Sequence, residues 1–249
     1  MTTLRAPAKL TWFLEVTGRR DDGFHLVRSE MVTLDLCDVL DVDESGDYLR
    51  ASGLVEGVPL DGTNLVARAL ALVHRRAGVT MLKAIPTGGG LGGASTDAAT
   101  VLRWAGGVSV EEAFTLGSDV PFCQIGGRAL VEGVGEHVTA LEYQRREVTL
   151  FMPDFGVNTA ACYGAFDELR ANGWQASGQN HLEVPATFVE PRLARTLAFL
   201  RDMFGPNVHL AGSGSTLFVE GHVATAGTDL LGPDGPVKVV HSITTPAGA

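Results

Sequence analysis

The chain of 249 residues is 45% hydrophobic and 19% charged, a composition that is typical of a folded globular protein and excludes a disordered one. Its formal net charge of −10 argues against nucleic-acid binding, because that needs a cationic surface to displace counterions from phosphates. No apolar run approaches the roughly 18 residues of a membrane-spanning helix, and the first residues lack the apolar core of a signal peptide. We therefore expect a cytoplasmic protein without a membrane or nucleic-acid partner.

The first third of the chain predicts mainly strands. Residues 8–16 are mostly apolar with β-formers between them and predict a strand, which a loop over residues 17–23 follows. Residues 30–43 alternate in polarity and predict a second strand, and residues 47–58 fit a further strand or hairpin. Residues 65–77 place apolar side chains on one face and predict an amphipathic helix.

The rest of the chain mixes helices and strands without a strict strand–helix–strand repeat. In chain order the sequence predicts a strand at 79–85, a helix from Ser95 to Trp104, a short helix capped by Ser109, a break at 117–121, strands at 128–138 and 147–152, a helix at 188–204, and strands at 208–210, 216–220 and 237–240. This mixture predicts the α+β class. A charged stretch at 142–147 separates two apolar blocks and predicts domains of residues 1–143 and 144–249.

Residues 86–96, Pro-Thr-Gly-Gly-Gly-Leu-Gly-Gly-Ala-Ser-Thr, form the most informative segment. Glycine lets the backbone adopt positive φ and approach a ligand closely. Exposed N–H groups of such a loop, together with the N-terminus of the following helix, make an anion site. The hydroxyls of Ser95 and Thr96 can bind phosphate oxygens or a phosphate-bound Mg²⁺. We interpret this segment as a loop that wraps the phosphates of ATP, which predicts a small-molecule kinase.

Two alternatives to this interpretation remain open at this point. The spacing of Gly88, Gly90 and Gly93 also fits the GxGxxG pattern of dinucleotide-binding folds, although that pattern normally follows the first strand of a βαβ unit. The glycines could also serve tight packing of the helix on the strand. A Walker A sequence is absent.

Lys9 and Asp119 are the candidate catalytic residues. Asp119 lies in a bend of small residues, Gly-Ser-Asp-Val-Pro-Phe, within an apolar stretch, where a carboxylate needs a partner. Lys9 is the only charged residue between Ala6 and Leu14. If both face one cleft, Asp119 can accept the proton of an attacking hydroxyl and Lys9 can balance the charge. A capping or turn aspartate and a solvated edge lysine are the structural alternatives.

Three segments together resemble the GHMP kinases, a family that includes galactokinase, homoserine kinase, mevalonate kinase and phosphomevalonate kinase. These segments are residues 6–14, residues 86–99 and residues 210–216. The resemblance implies a two-domain fold, with an N-terminal ribosomal-S5-like nucleotide-binding domain and a C-terminal ferredoxin-like domain. It also implies ATP as the phosphate donor and Mg²⁺ with the ATP, although the sequence does not identify protein ligands for the metal.

Within that family the chain is more similar to members whose alcohol substrate is methylerythritol linked to cytidine diphosphate, in the non-mevalonate route to isoprenoid precursors. Residues 16–25, 116–122 and 131–136 carry this closer resemblance. It implies transfer of phosphate from ATP to the 2-hydroxyl of that small-molecule substrate. The alternatives are a GHMP kinase for mevalonate, homoserine or a sugar, and a nucleotide-binding protein without catalysis. Either a monomer or a homodimer fits.

The resemblance assigns roles to individual residues. Asp119 resembles the catalytic base, and Lys9 resembles the lysine that contacts both the base and the substrate hydroxyl. Phe24 and His25 resemble the pair that recognises cytosine by stacking and by hydrogen bonds, and Tyr163 lies where an aromatic ring would close over the other face of the base. A loop anchor at Phe24 and a core residue at Tyr163 are the structural alternatives.

The remaining residues that the resemblance places in the site border either the nucleotide or the substrate. Those at the nucleotide are Asn64, Leu65, Lys83, Pro86, Gly88, Gly89, Gly90, Leu91, Gly92, Gly93, Ala94, Ser95 and Thr96, and those at the substrate are Thr11, Thr159, Gly212 and Ser213. The chain departs from the usual family pattern at three positions: Thr11 and Asp97 each replace an asparagine, and Phe24 replaces a tyrosine.

Overall fold

A computed structural model of the chain describes residues 1–225 and 227–248 and has the predicted α+β composition. Its elements, in chain order, are β1 (Thr2–Arg19), β2 (His25–Asp43), β3 (Leu49–Gly53), α1 (Leu65–Leu72), β4 (Gly78–Lys83), α2 (Gly93–Trp104), α3 (Val110–Phe114), α4 (Val120–Ile125), β5 (Arg128–Gly133), β6 (His137–Ala140), β7 (Glu147–Pro153), α5 (Thr159–Ala171), α6 (Glu183–Val189), α7 (Pro191–Phe204), β8 (His209–Leu210), β9 (Leu217–Glu220), β10 (Asp229–Gly232) and β11 (Gly235–Thr245). In this part of the chain no helix is both long and apolar enough to cross a membrane.

Strand β2 organises the first sheet. It pairs along its whole length with β1 in an antiparallel hairpin, from Thr2 opposite Val42 to Arg19 opposite His25. Its other edge pairs with β5, the end of β11 and β4 in turn, and β3 extends the sheet beyond β4. Helices α1 to α4 bury their apolar side chains in one core with this sheet. β2 therefore lies between β1 and β4, and the glycine-rich loop that follows β4 returns with α2 to the side of β1.

The second sheet has the strand order β11-β7-β9-β8. Because β9 is antiparallel to both β7 and β8, the two latter strands are parallel, with β9 inserted between them. Helices α5, α6 and α7 connect β7 to β8 and pack on the sheet, so this part is a split β-α-β arrangement. The order is consistent with the expected ferredoxin-like part.

A third core joins the two sheets. It combines Leu10 and Leu34 of the first sheet with Leu150 and Phe218 of the second. Strand β11 also crosses between them, since residues 237–243 pair with β7 and Thr244 and Thr245 pair with β2. The chain therefore contributes late residues to the early sheet, and the division at residues 143 and 144 stays a prediction.

Several predicted boundaries differ from the structure. The loop predicted at 17–23 is shorter, because β1 continues to Arg19 and the turn follows it. The single helix predicted at 188–204 is two helices, because Glu190 is extended and caps α7, whose first residue is Pro191. The break predicted at 117–121 contains the start of α4. Helix α5 and strand β10 were not predicted, and β11 is much longer than the predicted 237–240.

Candidate functional site

The glycine-rich loop after β4 adopts backbone conformations that only glycine accepts readily. Gly88, Gly90 and Gly92 have φ of 69°, 78° and 70°. A Cβ at Gly90 would collide with the carbonyl oxygen of Ala211, and a Cβ at Gly92 would lie 2.7 Å from Cγ of Lys9. The loop is therefore packed closely against a second glycine loop and against the lysine that the sequence singled out.

Helix α2 begins directly after this loop and has no side-chain cap. Gly92 is its N-cap residue, and the first intrahelical hydrogen bond runs from Thr96 N–H to the Gly92 carbonyl at 2.8 Å. The N–H groups of the first turn are thus available at the positive end of the helix dipole, where Gly93, Ala94 and Ser95 line a cavity. This end of α2 can bind an anion such as a phosphate group.

Two residues expected at the nucleotide point elsewhere. The Leu91 side chain is fully buried in the core between the sheets, and its carbonyl oxygen accepts a hydrogen bond from Lys9 N–H at 3.0 Å. The Thr96 hydroxyl donates to the carbonyl oxygen of Pro7 at 2.7 Å and joins α2 to β1. Of these two hydroxyl-bearing residues, Ser95 lines the cavity.

Lys9 and Asp119 form an ion pair in the same cavity. The distance from Lys9 Nζ to Asp119 Oδ2 is 3.3 Å, and Lys9 is 7% exposed against 32% for Asp119. The register of the β1–β2 pairing shifts between Pro7 and Lys9. Such irregularities redirect side chains and are common beside active sites. Asp119 occupies the N-cap position of α4 without making a capping hydrogen bond. Neither the edge-lysine nor the capping-aspartate alternative is therefore realised.

The second glycine loop, residues 211–214, closes the cavity around Lys9. Lys9 Nζ donates to Thr11 Oγ1 at 3.1 Å, and a Cβ at Gly212 would lie 3.4 Å from that oxygen. The hydroxyls of Thr159 and Ser213 are 2.7 Å apart and connect this loop to the first residue of α5. Thr11, Thr159, Gly212 and Ser213, all expected at the substrate, are thus brought together.

The side chain of Asn180 anchors the second glycine loop through hydrogen bonds to its backbone. Its buried amide donates to the carbonyl oxygens of Leu210 and Gly212, at 2.8 and 2.7 Å. Its Oδ1 accepts from Leu182 N–H at 2.9 Å. The sequence did not single out Asn180, because an isolated asparagine in a polar stretch is typical of a turn.

Lys83 lies in a buried charge cluster beneath the first glycine loop. Its ammonium group contacts the carboxylates of Asp38 and Asp97, and Asp38 also accepts from the N–H groups of Ala84 and Ile85, the latter at 2.9 Å. Burial raises the pKa of Asp97 to about 7, opposed by Lys83 and reinforced by the Asp38 carboxylate. Lys83 lines the cavity, but its ammonium group is paired with the two carboxylates. Asp38 also fixes the backbone of Ala84 and Ile85, where the chain enters the glycine-rich loop.

The aromatic residues expected at the base lie at the far end of the cavity. Phe24 is 55% exposed on the turn between β1 and β2. The rings of His25 and Tyr163 stack with centroids 4.6 Å apart, and burial raises the pKa of the Tyr163 phenol. His25 Nε2 lies 2.7 Å from Asp167 Oδ1. Tyr163 therefore packs directly on His25, and Asp167 is a polar neighbour that the sequence did not reveal.

These features share one cavity of about 980 Å³, at the upper end of the range for ligand pockets. Asn64 and Leu65 line it at the start of α1, where the Asn64 side chain caps the helix by accepting from Val66 N–H at 2.8 Å. Every residue that the sequence placed in the site lines this cavity except Leu91 and Thr96. The cavity thus connects the uncapped start of α2, a lysine–aspartate pair and a group of aromatic side chains.

Comparisons with known proteins point to one enzyme class. A scan against protein-family models finds no match. A 4-diphosphocytidyl-2-C-methyl-D-erythritol kinase of Nitrosomonas eutropha is 35% identical, over 93% of this chain and 92% of the relative. A crystal structure of 4-(cytidine 5'-diphospho)-2C-methyl-D-erythritol kinase has a TM-score of 0.70 and 30% identity, and the match covers 98% of this chain and 100% of that one. A mevalonate kinase of L. major, with a TM-score of 0.65 and 11% identity over 100% of this chain and 97% of that one, is similar in fold alone.

The fold and the kinases that share it define a GHMP kinase, as the glycine loops predicted. The predicted α+β GHMP fold is thereby confirmed. The identity and coverage of the curated relatives go further: the chain belongs to the family of 4-diphosphocytidyl-2-C-methyl-D-erythritol kinases.

Proposed function

We propose that the protein transfers the γ-phosphate of ATP to the 2-hydroxyl of 4-diphosphocytidyl-2-C-methyl-D-erythritol, a step in isoprenoid precursor biosynthesis. The observation that carries this proposal is the Lys9–Asp119 pair, 3.3 Å apart, in one cavity with the glycine-rich loop. The family to which the chain belongs supports the choice of substrate. The cytoplasmic location and the monomeric or homodimeric state stay predictions.

The phosphates of ATP fit the first glycine loop and the uncapped start of α2. Phosphoryl transfer depends on positioning and charge neutralisation, and the free N–H groups of the first helical turn supply both. Within residues 1–225 and 227–248, no group of three or more His, Cys, Asp or Glu side chains is placed to hold a metal. Ser95, which lines the cavity at the start of α2, could supply a hydroxyl oxygen to a Mg²⁺ bound together with ATP. When bound, the ion would neutralise phosphate charge.

Asp119 and Lys9 act on the acceptor hydroxyl. Asp119 accepts the hydroxyl proton as the oxygen forms its bond to the γ-phosphorus and the bond from that phosphorus to the β–γ bridging oxygen breaks, releasing ADP. The Lys9 ammonium lies 3.3 Å from the Asp119 carboxylate and would balance the negative charge of that carboxylate and of the developing alkoxide. Thr11 accepts a hydrogen bond from Lys9 and holds the ammonium in place.

Phe24, His25 and Tyr163 would hold the cytosine end of the substrate. Phe24 offers an exposed ring on the turn that borders the cavity. Stacking of a base on an aromatic ring contributes about 1–3 kcal/mol in comparable sites. His25 lines the cavity beside Tyr163 and can hydrogen-bond to the base.

A coupled ADP-release assay tests the proposal with wild type, Asp119→Asn and a matched control, Asp202→Asn, which changes an exposed carboxylate on α7. We expect Asp119→Asn to lower kcat by about 10²–10⁴-fold, because it removes the general base. ATP affinity, measured by titration calorimetry, should stay within a few-fold of wild type, and Asp202→Asn should match wild type in both. Full turnover by Asp119→Asn would overturn the mechanism.

A substrate panel separates this function from its alternatives. Wild type should prefer the cytidine-linked substrate over free methylerythritol phosphate, mevalonate and homoserine. Equal rates with and without the cytidylyl group would remove the base pocket from the proposal. ATP binding without phosphoryl transfer to any of these acceptors would favour the non-catalytic alternative.

A further inference from the structure

Asp167 lies outside the reacting groups but contacts the proposed base pocket. Its two carboxylate oxygens serve different partners: Oδ1 lies 2.7 Å from His25 Nε2, and Oδ2 lies 3.1 Å from Arg19 Nη1. Arg19 and His25 face each other across the end of the β1–β2 hairpin. Asp167 thus connects α5 to the tip of this hairpin, and it holds the His25 ring by one nitrogen.

The position of Asp167 on α5 explains how His25 is fixed on several sides. Tyr163, Phe166 and Asp167 are spaced i, i+3 and i+4, so they share one face of the helix. Tyr163 stacks on the His25 ring, and Phe166 meets it edge-on with centroids 6.0 Å apart. The His25 side chain is only 9% exposed. Packing therefore fixes the ring plane, and Asp167 fixes which nitrogen faces the helix.

The contact with Asp167 also determines which nitrogen of the His25 ring carries the proton. An ionised carboxylate oxygen can only accept, so the proton of a neutral imidazole resides on Nε2. Nδ1 is then left as an acceptor, and the hydrogen bonds found among the described residues do not engage it. We propose that Asp167 is a positioning residue for base selection: it holds His25 in the Nε2–H tautomer, so that Nδ1 accepts from the exocyclic amino group of cytosine.

This arrangement distinguishes cytosine from uracil and rests on the proposed function. Cytosine carries an amino donor at its fourth position, where uracil carries a carbonyl acceptor. An Nδ1 acceptor matches the former and faces a second acceptor in the latter. If Asn replaced Asp167, its amide could donate to Nε2, the proton would be free to occupy Nδ1, and the ring would no longer exclude uracil.

The test compares substrates linked to cytidine diphosphate and to uridine diphosphate in the ADP-release assay. For Asp167→Asn we expect the ratio of the two kcat/KM values to fall by about 10-fold or more, the effect of one hydrogen bond at a buried site, with KM for ATP unchanged. The matched control is Glu168→Gln, which removes a negative charge from the exposed neighbouring position of α5. It should leave the ratio at the wild-type value, and Asp167→Glu should restore part of it.

An unchanged ratio in a folded Asp167→Asn variant would overturn the inference. This holds whether both substrates keep their kcat/KM or lose it equally, and an equal loss is what a purely structural role would give. The failure of the proposed function gives a different result, because wild type itself would then transfer no phosphate to the cytidine-linked substrate.

A second measurement needs neither turnover nor the Asp167→Asn variant. In wild type with ¹⁵N-labelled histidine, assigned with His25→Gln, the ring nitrogen spectrum should show protonated Nε2 and unprotonated Nδ1. Calorimetry with cytidine 5'-diphosphate and uridine 5'-diphosphate, with the nucleotide loop saturated by ADP, should show preference for the cytidine compound. An Nδ1–H tautomer, or equal affinity for the two diphosphates, would contradict the inference.

Discussion

Replacement of Gly92 by alanine tests how closely the glycine-rich loop and Lys9, the proposed catalytic lysine, are packed. Gly92 has φ of 70°, and a Cβ there would lie 2.7 Å from Cγ and 3.2 Å from Cε of Lys9. The left-handed conformation costs an alanine about 1–2 kcal/mol. Overpacking against the buried lysine stem adds about 1–3 kcal/mol. We expect the free energy of unfolding to fall by about 2–5 kcal/mol in Gly92→Ala.

Gly107→Ala is the matched control, because it separates backbone strain from the collision. Gly107 has φ of 81° in the exposed turn after α2, and an added Cβ would meet no atom within 4 Å. Its free energy of unfolding should fall by only about 1–2 kcal/mol. Urea unfolding followed by circular dichroism measures both losses.

The same pair of variants separates stability from catalysis. Displacement of Lys9 by about 1 Å should lower kcat of Gly92→Ala by roughly 10²-fold, whereas Gly107→Ala should keep the wild-type kcat. The ADP-release assay below the unfolding temperature measures this. If Gly92→Ala lost no more stability than Gly107→Ala and kept full kcat, the close packing of loop and lysine would not govern catalysis.

Three further changes probe other parts of the molecule. Burial raises the pKa of Asp97 to about 7, above its ordinary 3.8, so the stability that this carboxyl contributes is present below pH 3.8 and is lost as pH rises toward 7. Asp97→Asn should therefore flatten the dependence of the urea midpoint on pH between these values. An unchanged slope would contradict the raised pKa of Asp97. Asn180→Ala leaves the carbonyl oxygens of Leu210 and Gly212 without their donor and should lower the free energy of unfolding by about 2–3 kcal/mol and also kcat, whereas unaltered kcat would show that the second loop needs no such support. Ser109→Ala removes an exposed capping box and should cost about 1 kcal/mol in urea unfolding without any change in kcat, so a loss of activity there would contradict the location of the site.

Local patterns predicted the elements whose signals are contained in a short stretch of sequence. The strand–glycine loop–helix unit at 79–104 and the cap at Ser109 were predicted because turn residues and apolar periodicity lie next to each other in the chain. The sequence did not predict helix α5, because Gly164 within it is a poor helix former and its buried side is limited to Cys162, Ala165 and Phe166. The predicted helix at 188–204 includes Pro191, but proline favours the first position of a helix, and Pro191 begins α7.

The site divides in the same way. Lys9, Asp119 and the glycine loops carry motifs that can be recognised in isolation, and the structure brings them into one cavity. Asp38 and Asp167 carry no local signal, because the partners that give them meaning, Lys83 and His25, are 45 and 142 positions away along the chain. Such pairings are set by the tertiary fold, and a single sequence does not display them.

The double pairing of β11 has a consequence for the order in which the chain can assemble. This strand, near the C-terminal end of the sequence, fills an edge of β7 and a gap on β2 between β4 and β5. During synthesis, β2 is complete some 200 residues before its neighbour exists, so its middle must wait with unpaired backbone groups. Closing a loop of this length costs conformational entropy, so the pairing of β11 with β2 forms late and slowly. Because β11 pairs with both β2 and β7, the newly made chain cannot complete either sheet until residues 235–245 have left the ribosome.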